Sequence, residues 1–274
     1  MPELPEVETV ARDLRAALVG RQVMAVQLGH PKVLRFPVPD VFRAVFPGQH
    51  VDAVTRRGKF ILCELRSGED LVFHLGMTGH LRVCDPDVPA PKHTHLRATL
   101  DDGRELRYDD ARRFGRILLG PRAVLEDSRV LPVLGVEPLS DEFTATRLDA
   151  VLRSTTRTVK AALLDQRGVA GLGNIYIDEA CHLAGVRPQH RCHTLTRVQR
   201  AALHDAIPAV LLSAIRNRGS SIDDYRDLWN AKGTNQERLQ VYGRGGRPCL
   251  RCGAILRHAT VAGRTTVWCP TCQK

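Results

Sequence analysis

The chain of 274 residues is 43% hydrophobic and 26% charged, which is typical of a folded globular protein and excludes a disordered one. No apolar run approaches the roughly 20 residues that cross a membrane, and the acidic start MPELPEVETV differs from a secretory signal. We therefore expect no membrane partner and a cytoplasmic location. The formal net charge of +10 predicts a polyanionic partner.

Arginine supplies most of the basic residues. It binds phosphate through two parallel hydrogen bonds, so the bias is compatible with nucleic-acid binding, and genomic codon bias is the alternative explanation. The charge is also concentrated locally, because residues 240–274 contain six Lys or Arg and no Asp or Glu. Such a one-sided segment indicates a nucleic-acid contact more strongly than the total charge does.

The first twenty residues are predicted to form a helix, with Pro5 in its first turn and Gly20 at its end. Short strands separated by turns follow as far as residue 119, a pattern typical of a β-sandwich or barrel. The predicted strands are 23–28, 51–55, 60–65, 71–75, 80–84, 96–100, 105–108 and 116–119.

A linker punctuated by Pro and Gly spans residues 131–140. Helical periodicity dominates beyond it, over 146–152, 159–165, 175–184 and 195–216. The change of pattern predicts a domain boundary between residues 138 and 149.

The C-terminal segment contains two CxxC pairs separated by sixteen residues, Cys249 with Cys252 and Cys269 with Cys272. Two such pairs predict a tetrathiolate zinc site in which the intervening residues form a hairpin. Four thiolates leave no open coordination position, so the one expected zinc ion is structural and no catalytic metal is expected. Arg257 and Arg264 on the hairpin indicate phosphate contact.

Three further motifs allow two interpretations each. Gly171-Leu-Gly-Asn174 presents backbone N–H groups to an anion, or simply connects two helices. The second motif is YDDARRFG, residues 108–115. It either inserts as a wedge into a base stack or forms a turn at the end of a strand, with Phe114 buried. HLGMTG, 74–79, is a functional loop presenting Met77, or a strand turning on two glycines. A second Cys/His cluster over 181–193 fits no metal-site spacing and is interpreted as helix and loop residues.

Taken together and in this order, the motifs resemble the formamidopyrimidine-DNA glycosylases, which excise 8-oxoguanine. They are MPELPEVETV, RRGKF, HLGMTG, YDDARRFG, LLDQRGVAGLGNIY, LQVYGR and GRTTVWCPTCQ, and they run from residue 1 to 274. The resemblance implies an α+β multidomain protein. It has an N-terminal β-sandwich with a leading helix (1–135), a helical domain with a helix–two-turns–helix (136–238) and a C-terminal zinc-finger β-hairpin (239–274).

The resemblance also implies a bifunctional glycosylase and abasic-site lyase for oxidised purines, acting as a monomer on double-stranded DNA. Removal of Met1 exposes the secondary amine of Pro2 as the nucleophile, with an unperturbed pKa of roughly 7.7–8.0. Glu3 is then the general acid and base, Lys59 assists elimination, and Arg264 serves as an acid in the second elimination. The alternative interpretation of Lys59 is an ordinary solvated lysine at the surface, without a role in catalysis.

The DNA contacts implied by the same resemblance have different tasks. Glu6 orders the catalytic corner, while Met77, Arg112 and Phe114 fill the gap left by a flipped nucleotide. Asn174 and Arg264 form a phosphate clamp. The remaining implied contacts are His74, His93, Lys160 and Tyr242.

Two departures and two rival functions remain. Ala111 stands where the family often has proline, and residues 220–233, which in the family close over the flipped base, are less typical.

A sister group acting on oxidised pyrimidines is one rival, although Leu4 favours the purine branch. A zinc-containing DNA-binding protein without catalysis is the other, and the joint presence of Pro2, Glu3 and Lys59 argues against it.

Overall fold

A computed structural model describes residues 1–127, 130–222 and 224–274. The chain divides into two compact units. The N-terminal unit comprises Met1–Val133 together with Asn217–Thr234, and the helical unit comprises Leu134–Arg216 together with Asn235–Lys274. Within the described ranges, no helix is both long enough and apolar enough to traverse a bilayer.

The N-terminal unit begins with helix α1, Leu4–Leu18. Its apolar residues recur at helical spacing, and Val7, Leu14 and Leu18 are each at most 1% exposed. Pro5 lies in the first turn, where a missing backbone N–H costs no hydrogen bond. The predicted leading helix is therefore confirmed, and its buried face joins the core of the sandwich.

Two sheets follow, one with the order β1-β7-β8-β6 and one with the order β2-β9-β5-β4-β3. All pairings are antiparallel except that of β2 with β9. The rings of Phe73 and Tyr108, one from each sheet, lie 6.1 Å apart in the shared core, so the predicted sandwich is confirmed. The strands are β1 (Val23–Leu28), β2 (Leu34–Phe36), β3 (Val51–Arg57), β4 (Phe60–Leu65), β5 (Glu69–His74), β6 (Gly79–Cys84), β7 (Thr94–Leu100), β8 (Glu105–Asp110) and β9 (Arg116–Pro121).

Three short elements were not predicted: β2 and the helices α2 (Pro39–Val45) and α3 (Arg122–Asp127). Each is seven residues or shorter, so it spans too few periods for its apolar pattern to stand out. Phe42 of α2 and Leu125 of α3 are nevertheless fully buried, so both helices are held by packing rather than by propensity.

The helical unit contains α4 (Ala145–Arg153), α5 (Val159–Leu164), α6 (Asn174–Ala184) and α7 (Arg197–Arg216), close to the predicted ranges. The zinc-finger hairpin follows as β10 (Arg257–Val261) and β11 (Arg264–Trp268), paired antiparallel. α6 packs against both α7 and β11. This central helix is therefore placed to position residues from several parts of the unit.

Residues 217–234 cluster with the N-terminal unit, whereas the sequence pattern placed them within the helical domain. Tyr225 and Leu228 are buried in the sandwich core, at 6% and 1% exposure. The guanidinium of Arg218 binds the carboxylates of Asp13 and Asp227. These contacts join partners that lie far apart in sequence, so local pattern does not reveal them.

Candidate functional site

The catalytic corner lies at the start of α1 in the N-terminal unit. Pro2 and Glu3 are buried immediately before the helix, and Glu3 is 3% exposed. The carboxylate of Glu6, 1% exposed, accepts a hydrogen bond from the backbone N–H of Glu3 at 2.9 Å. Glu6 thereby fixes the chain segment that carries Pro2.

Glu6 also fixes the segment 217–234. Its second carboxylate oxygen accepts from the backbone N–H of Ser220 at 2.7 Å. Gly219 has φ +80°, and a Cβ there would lie 2.8 Å from a Glu6 carboxylate oxygen, so only glycine permits this approach. One buried carboxylate thus ties the N-terminus to the base of the segment that, in the family, closes over the flipped base.

Lys59 lies in the tight turn between β3 and β4, beside Gly58 with φ +55°. It is only 7% exposed, so the alternative of a solvated surface lysine is wrong. Its ammonium contributes to the electrostatics of His74 at the end of β5. Burial, together with the positive charges of Arg116 and Lys59, lowers the pKa of His74 to about 4. His74 is therefore neutral at physiological pH and acts as a hydrogen-bonding group rather than a cation.

Two loops, which we call the wedge loops, present Met77, Arg112 and Phe114. They comprise residues 75–78 between β5 and β6 and residues 111–115 between β8 and β9. Phe114 is 51% exposed, so the alternative of a buried ring in a strand-end turn is wrong. The guanidinium of Arg112 lies over that ring at 4.5 Å from its centre, a favourable cation–π contact.

The wedge loops touch each other directly. Gly76 has φ +62°, and a Cβ added there would lie 2.6 Å from the backbone nitrogen of Gly115. Met77, the next residue, is 40% exposed and so also reaches the surface from these neighbouring loops. His93 is exposed as well, and its carbonyl accepts from the backbone N–H of Asp110 at 2.9 Å. The structure thus brings together four of the DNA contacts implied by sequence.

In the helical unit, Asn174 is the first residue of α6, and its side-chain amide donates to the carbonyl of Thr265 at 3.1 Å. Its side-chain oxygen is buried and has no protein partner. Thr265 follows Arg264, whose side chain is exposed at the tip of the hairpin. The two residues of the implied phosphate clamp are therefore close together, and the exposed guanidinium of Arg264 offers donors to a ligand.

Lys160 is fully buried, which differs from the position expected of a direct phosphate contact. Its ammonium donates to Asp178 at 2.6 Å and to the carbonyl of Thr265 at 3.2 Å. Asp178 in turn accepts from the backbone N–H of Val267 at 3.0 Å. Lys160 and Asp178 together hold strand β11 against α6, one residue from Arg264.

Tyr242 lies in a loop held by a second carboxylate of α6. Glu179 accepts from three successive backbone N–H groups, those of Gln240, Val241 and Tyr242, each at 2.9 Å. Glu179 is 6% exposed. A buried carboxylate is stable only when its oxygens are hydrogen-bonded, and this arrangement satisfies both.

The four predicted metal ligands converge. The sulfur atoms of Cys249, Cys252, Cys269 and Cys272 all lie within 4.8 Å of one another. Tetrahedral zinc with Zn–S bonds of about 2.3 Å requires sulfurs about 3.8 Å apart, so this donor set fits one structural zinc ion. The imidazole of His182 approaches the Cys249 sulfur at 3.6 Å and supports that ligand from α6.

The cysteines of the second Cys/His cluster, over 181–193, lie in separate elements of the helical unit. Cys181 is buried inside α6, and Cys192 is buried in a 3₁₀ turn. Cys63 is a buried core residue of β4, whereas Cys84 of β6 is half-buried.

Sequence analysis did not identify the buried carboxylates that position these groups, namely Asp110, Asp178 and Glu179. Asp178 and Glu179 have one sequence signal, because they are acidic residues within a predicted helix, where burial requires a partner, whereas Asp110 lies beyond the end of the predicted strand 105–108. The partners come from distant parts of each unit, so their identity follows only from the fold.

Family models match three parts of the chain. Residues 1–117 match the formamidopyrimidine-DNA glycosylase N-terminal domain, and residues 134–226 match the formamidopyrimidine-DNA glycosylase H2TH domain. Residues 246–274 match a zinc finger found in FPG and IleRS.

Individual relatives match over essentially the full length. A formamidopyrimidine-DNA glycosylase of Chloroflexus aggregans is 46% identical over 277 residues, covering 100% of this chain and 98% of the relative. The MutM (FPG) protein of Thermus thermophilus has a TM-score of 0.89 at 40% identity, covering 99% and 98% of the two chains. A Lactococcus lactis FPG variant, in complex with Fapy-dG-containing DNA, has a TM-score of 0.92 at 36% identity, covering 100% of both. These matches show that the chain belongs to the formamidopyrimidine-DNA glycosylase family of DNA-repair proteins.

Proposed function

We propose that this protein is a bifunctional DNA glycosylase and abasic-site lyase that removes oxidised purines, 8-oxoguanine and formamidopyrimidines, from double-stranded DNA. The single observation that supports this most strongly is the catalytic corner. Pro2 is buried beside Glu3 at the start of α1, and Glu6 fixes that segment through the hydrogen bond to the Glu3 backbone.

The nucleophile is the secondary amine of Pro2, exposed when Met1 is removed. Its neutral form attacks C1′ of the damaged nucleotide, a C1′–N bond forms, and the bond from C1′ to the base breaks. The departing base takes a proton. Glu3, 3% exposed, is placed to exchange protons with the sugar as its ring opens and the iminium forms.

Strand cleavage follows from the iminium. It acidifies the C2′ protons, so loss of one proton expels the 3′ phosphate, and a second elimination expels the 5′ phosphate. Lys59 supplies positive charge from the turn between β3 and β4. His74 is neutral, so it offers a hydrogen bond and does not compete with Lys59 for the phosphate. Water then hydrolyses the remaining imine and releases the amine.

The DNA is held from both units in this proposal. Met77, Arg112 and Phe114 fill the gap left by the flipped nucleotide and offset a few kcal/mol of unstacking. Asn174 and Arg264 bind phosphate, and the loop carrying Tyr242 adds a weaker contact. Lys160 acts through the Thr265 carbonyl, because its ammonium is buried.

Borohydride trapping on a duplex with 8-oxoguanine opposite cytosine tests the proposal. Reduction converts the iminium into a stable covalent adduct, visible as a protein–DNA band on a denaturing gel. We expect an adduct with the native protein and its loss or sharp weakening with Pro2→Gly. An N-terminal extension that keeps the Pro2 nitrogen in a peptide bond provides a second control, since it blocks the amine and leaves every side chain unchanged.

Parallel substrates separate the rival functions. An adduct with an oxidised pyrimidine but none with 8-oxoguanine or a formamidopyrimidine would assign the protein to the pyrimidine branch. Tight binding of lesion DNA without any adduct, by protein that retains its zinc, would identify a non-catalytic binder. Light scattering of the protein–DNA complex tests the further proposal that it acts as a monomer.

A further inference from the structure

The exposed side chains of the wedge loops need a source of rigidity other than core packing. Met77 and Phe114 are 40% and 51% exposed, so their own contacts do not fix their directions. Insertion into a base stack requires them to be aimed before contact, because a loose wedge loses conformational entropy on insertion. Their positions must therefore be set by the backbone of the two loops.

Asp110 is the residue that joins both loops. It is the last residue of β8 and has no exposed area. One carboxylate oxygen accepts from the Thr78 hydroxyl at 2.6 Å and from the Arg112 N–H at 3.2 Å. The other accepts from the Gly115 N–H at 2.8 Å. Three of the four lone-pair directions of one carboxylate thus serve the first loop and both ends of the second.

The fourth donor is the hydroxyl of Tyr108, which reaches the second oxygen at 3.2 Å. A Cβ at Gly79 or Gly115 would lie 2.5 or 1.7 Å from that hydroxyl oxygen, so glycine is required on both sides of it. The tyrosine ring is fully buried in the sandwich core. This contact therefore connects the wedge loops to the most rigid part of the unit.

We propose that Asp110 is a positioning residue that fixes the two wedge loops for insertion into DNA by accepting hydrogen bonds from both of them. This inference rests on the proposed function. Asparagine at this position retains the size of the side chain, but it replaces one acceptor with an N–H₂ donor facing existing donors. Asp110→Asn should therefore misalign the loops without emptying the core.

The test compares substrates that do and do not require the wedge. Excision of 8-oxoguanine from a duplex requires insertion, and we expect Asp110→Asn to slow it by about 10- to 100-fold. Borohydride trapping on a single-stranded abasic site needs no base to be displaced, so trapping should be unchanged. A 2-aminopurine beside the orphaned cytosine reports insertion directly, and its stopped-flow fluorescence change should slow to the same extent as excision.

Matched variants separate positioning from general destabilisation. Asp70→Asn removes another buried carboxylate of the same unit, 4% exposed and bound to Arg122 at 2.7 Å, away from the wedge loops. It should lower the melting temperature without slowing excision. Thr78→Val should reproduce part of the Asp110→Asn defect, whereas Thr78→Ser, which retains the hydroxyl, should restore the normal rate.

Three other outcomes would contradict the inference. Normal duplex excision by Asp110→Asn would overturn the inference. Equal loss of duplex excision and single-strand trapping, with a melting temperature below that of Asp70→Asn, would overturn it in favour of a purely structural role. Failure of the unmodified protein in both assays would overturn the proposed function, and this inference with it.

Discussion

The two units hold the groups that we propose to contact DNA by different physical means. In the N-terminal unit, an extensive core formed by two sheets and α1 supports the catalytic corner and the wedge loops. In the helical unit, the hairpin that carries Arg264 has only a small apolar cluster of Val241, Cys249, Leu256, Val267 and Cys269. Two of those five residues are zinc ligands. The hairpin therefore depends on metal where the sandwich depends on buried apolar area.

Both units nevertheless use the same local device. A buried carboxylate accepts backbone N–H groups and thereby fixes a loop: Glu6 and Asp110 in one unit, Asp178 and Glu179 in the other. A hydrogen bond adds only about 1 kcal/mol to stability, but a buried donor left without a partner costs about 1–3 kcal/mol. The carboxylates therefore specify loop geometry more than they add stability.

Loss of zinc should reveal the difference between the two units most strongly. Structural zinc contributes about 10–16 kcal/mol in small metal-dependent folds, so chelation should unfold the hairpin and leave the sandwich folded. Limited proteolysis with mass spectrometry should show cleavage within 240–274 first. Cys252→Ala should mimic chelation, whereas Cys84→Ala, at a half-buried cysteine of β6, should not. A hairpin that stays protected without metal would show that its small core suffices.

Truncation of Glu6 should have the next largest effect. Glu6→Ala leaves the N–H groups of Glu3 and Ser220 without their acceptor, which should cost about 2–5 kcal/mol in urea unfolding. It should also expose residues 217–234 to protease. The control is Asp52→Asn in β3, which weakens an exposed ion pair with Arg66 and should cost about 1 kcal/mol or less. Equal effects of the two variants would contradict the role of Glu6.

His74 should give the N-terminal unit a dependence on pH. Its folded pKa of about 4 lies below the ordinary value of 6.5, so the unfolded chain binds the proton first as pH falls. The stability contributed by neutral His74 is complete above pH 6.5 and is lost as pH falls towards 4. His74→Gln should flatten the measured free energy of unfolding across that window by about 1–3 kcal/mol. An unchanged slope would mean that other groups dominate.

Arg264 should have the smallest effect on stability and a specific effect on DNA. Its side chain is exposed, so Arg264→Ala should leave the melting temperature unchanged. Removing one phosphate contact should lower the slope of log affinity against log salt by about 1. Arg43→Ala, an exposed arginine of α2 paired with Asp40, serves as the charge-matched control. An equal change in slope for both variants would indicate only a general effect of net charge.

Strands and helices with several periods could be predicted from the sequence, because alternation in β6 and helical spacing in α1 report burial directly. The zinc ligands followed from spacing alone. The roles of Pro2, Lys59 and the wedge residues came from the resemblance to a family. The supporting carboxylates could not be predicted, because pattern does not specify which distant backbone a buried acid will meet. The two neighbouring aspartates of β8 illustrate this: Asp109 binds Arg82, while Asp110 binds the wedge loops.

The hydrogen bond between Glu6 and Ser220 spans 214 positions of the chain. During synthesis at about 5–20 residues per second, the first partner therefore waits about 10–40 s for the second to emerge from the ribosome. Until then the segment 217–234 cannot brace the catalytic corner. The nascent chain therefore carries its terminal amine before the hydrogen bond between Glu6 and Ser220 exists. That bond forms only after the intervening helices have been made.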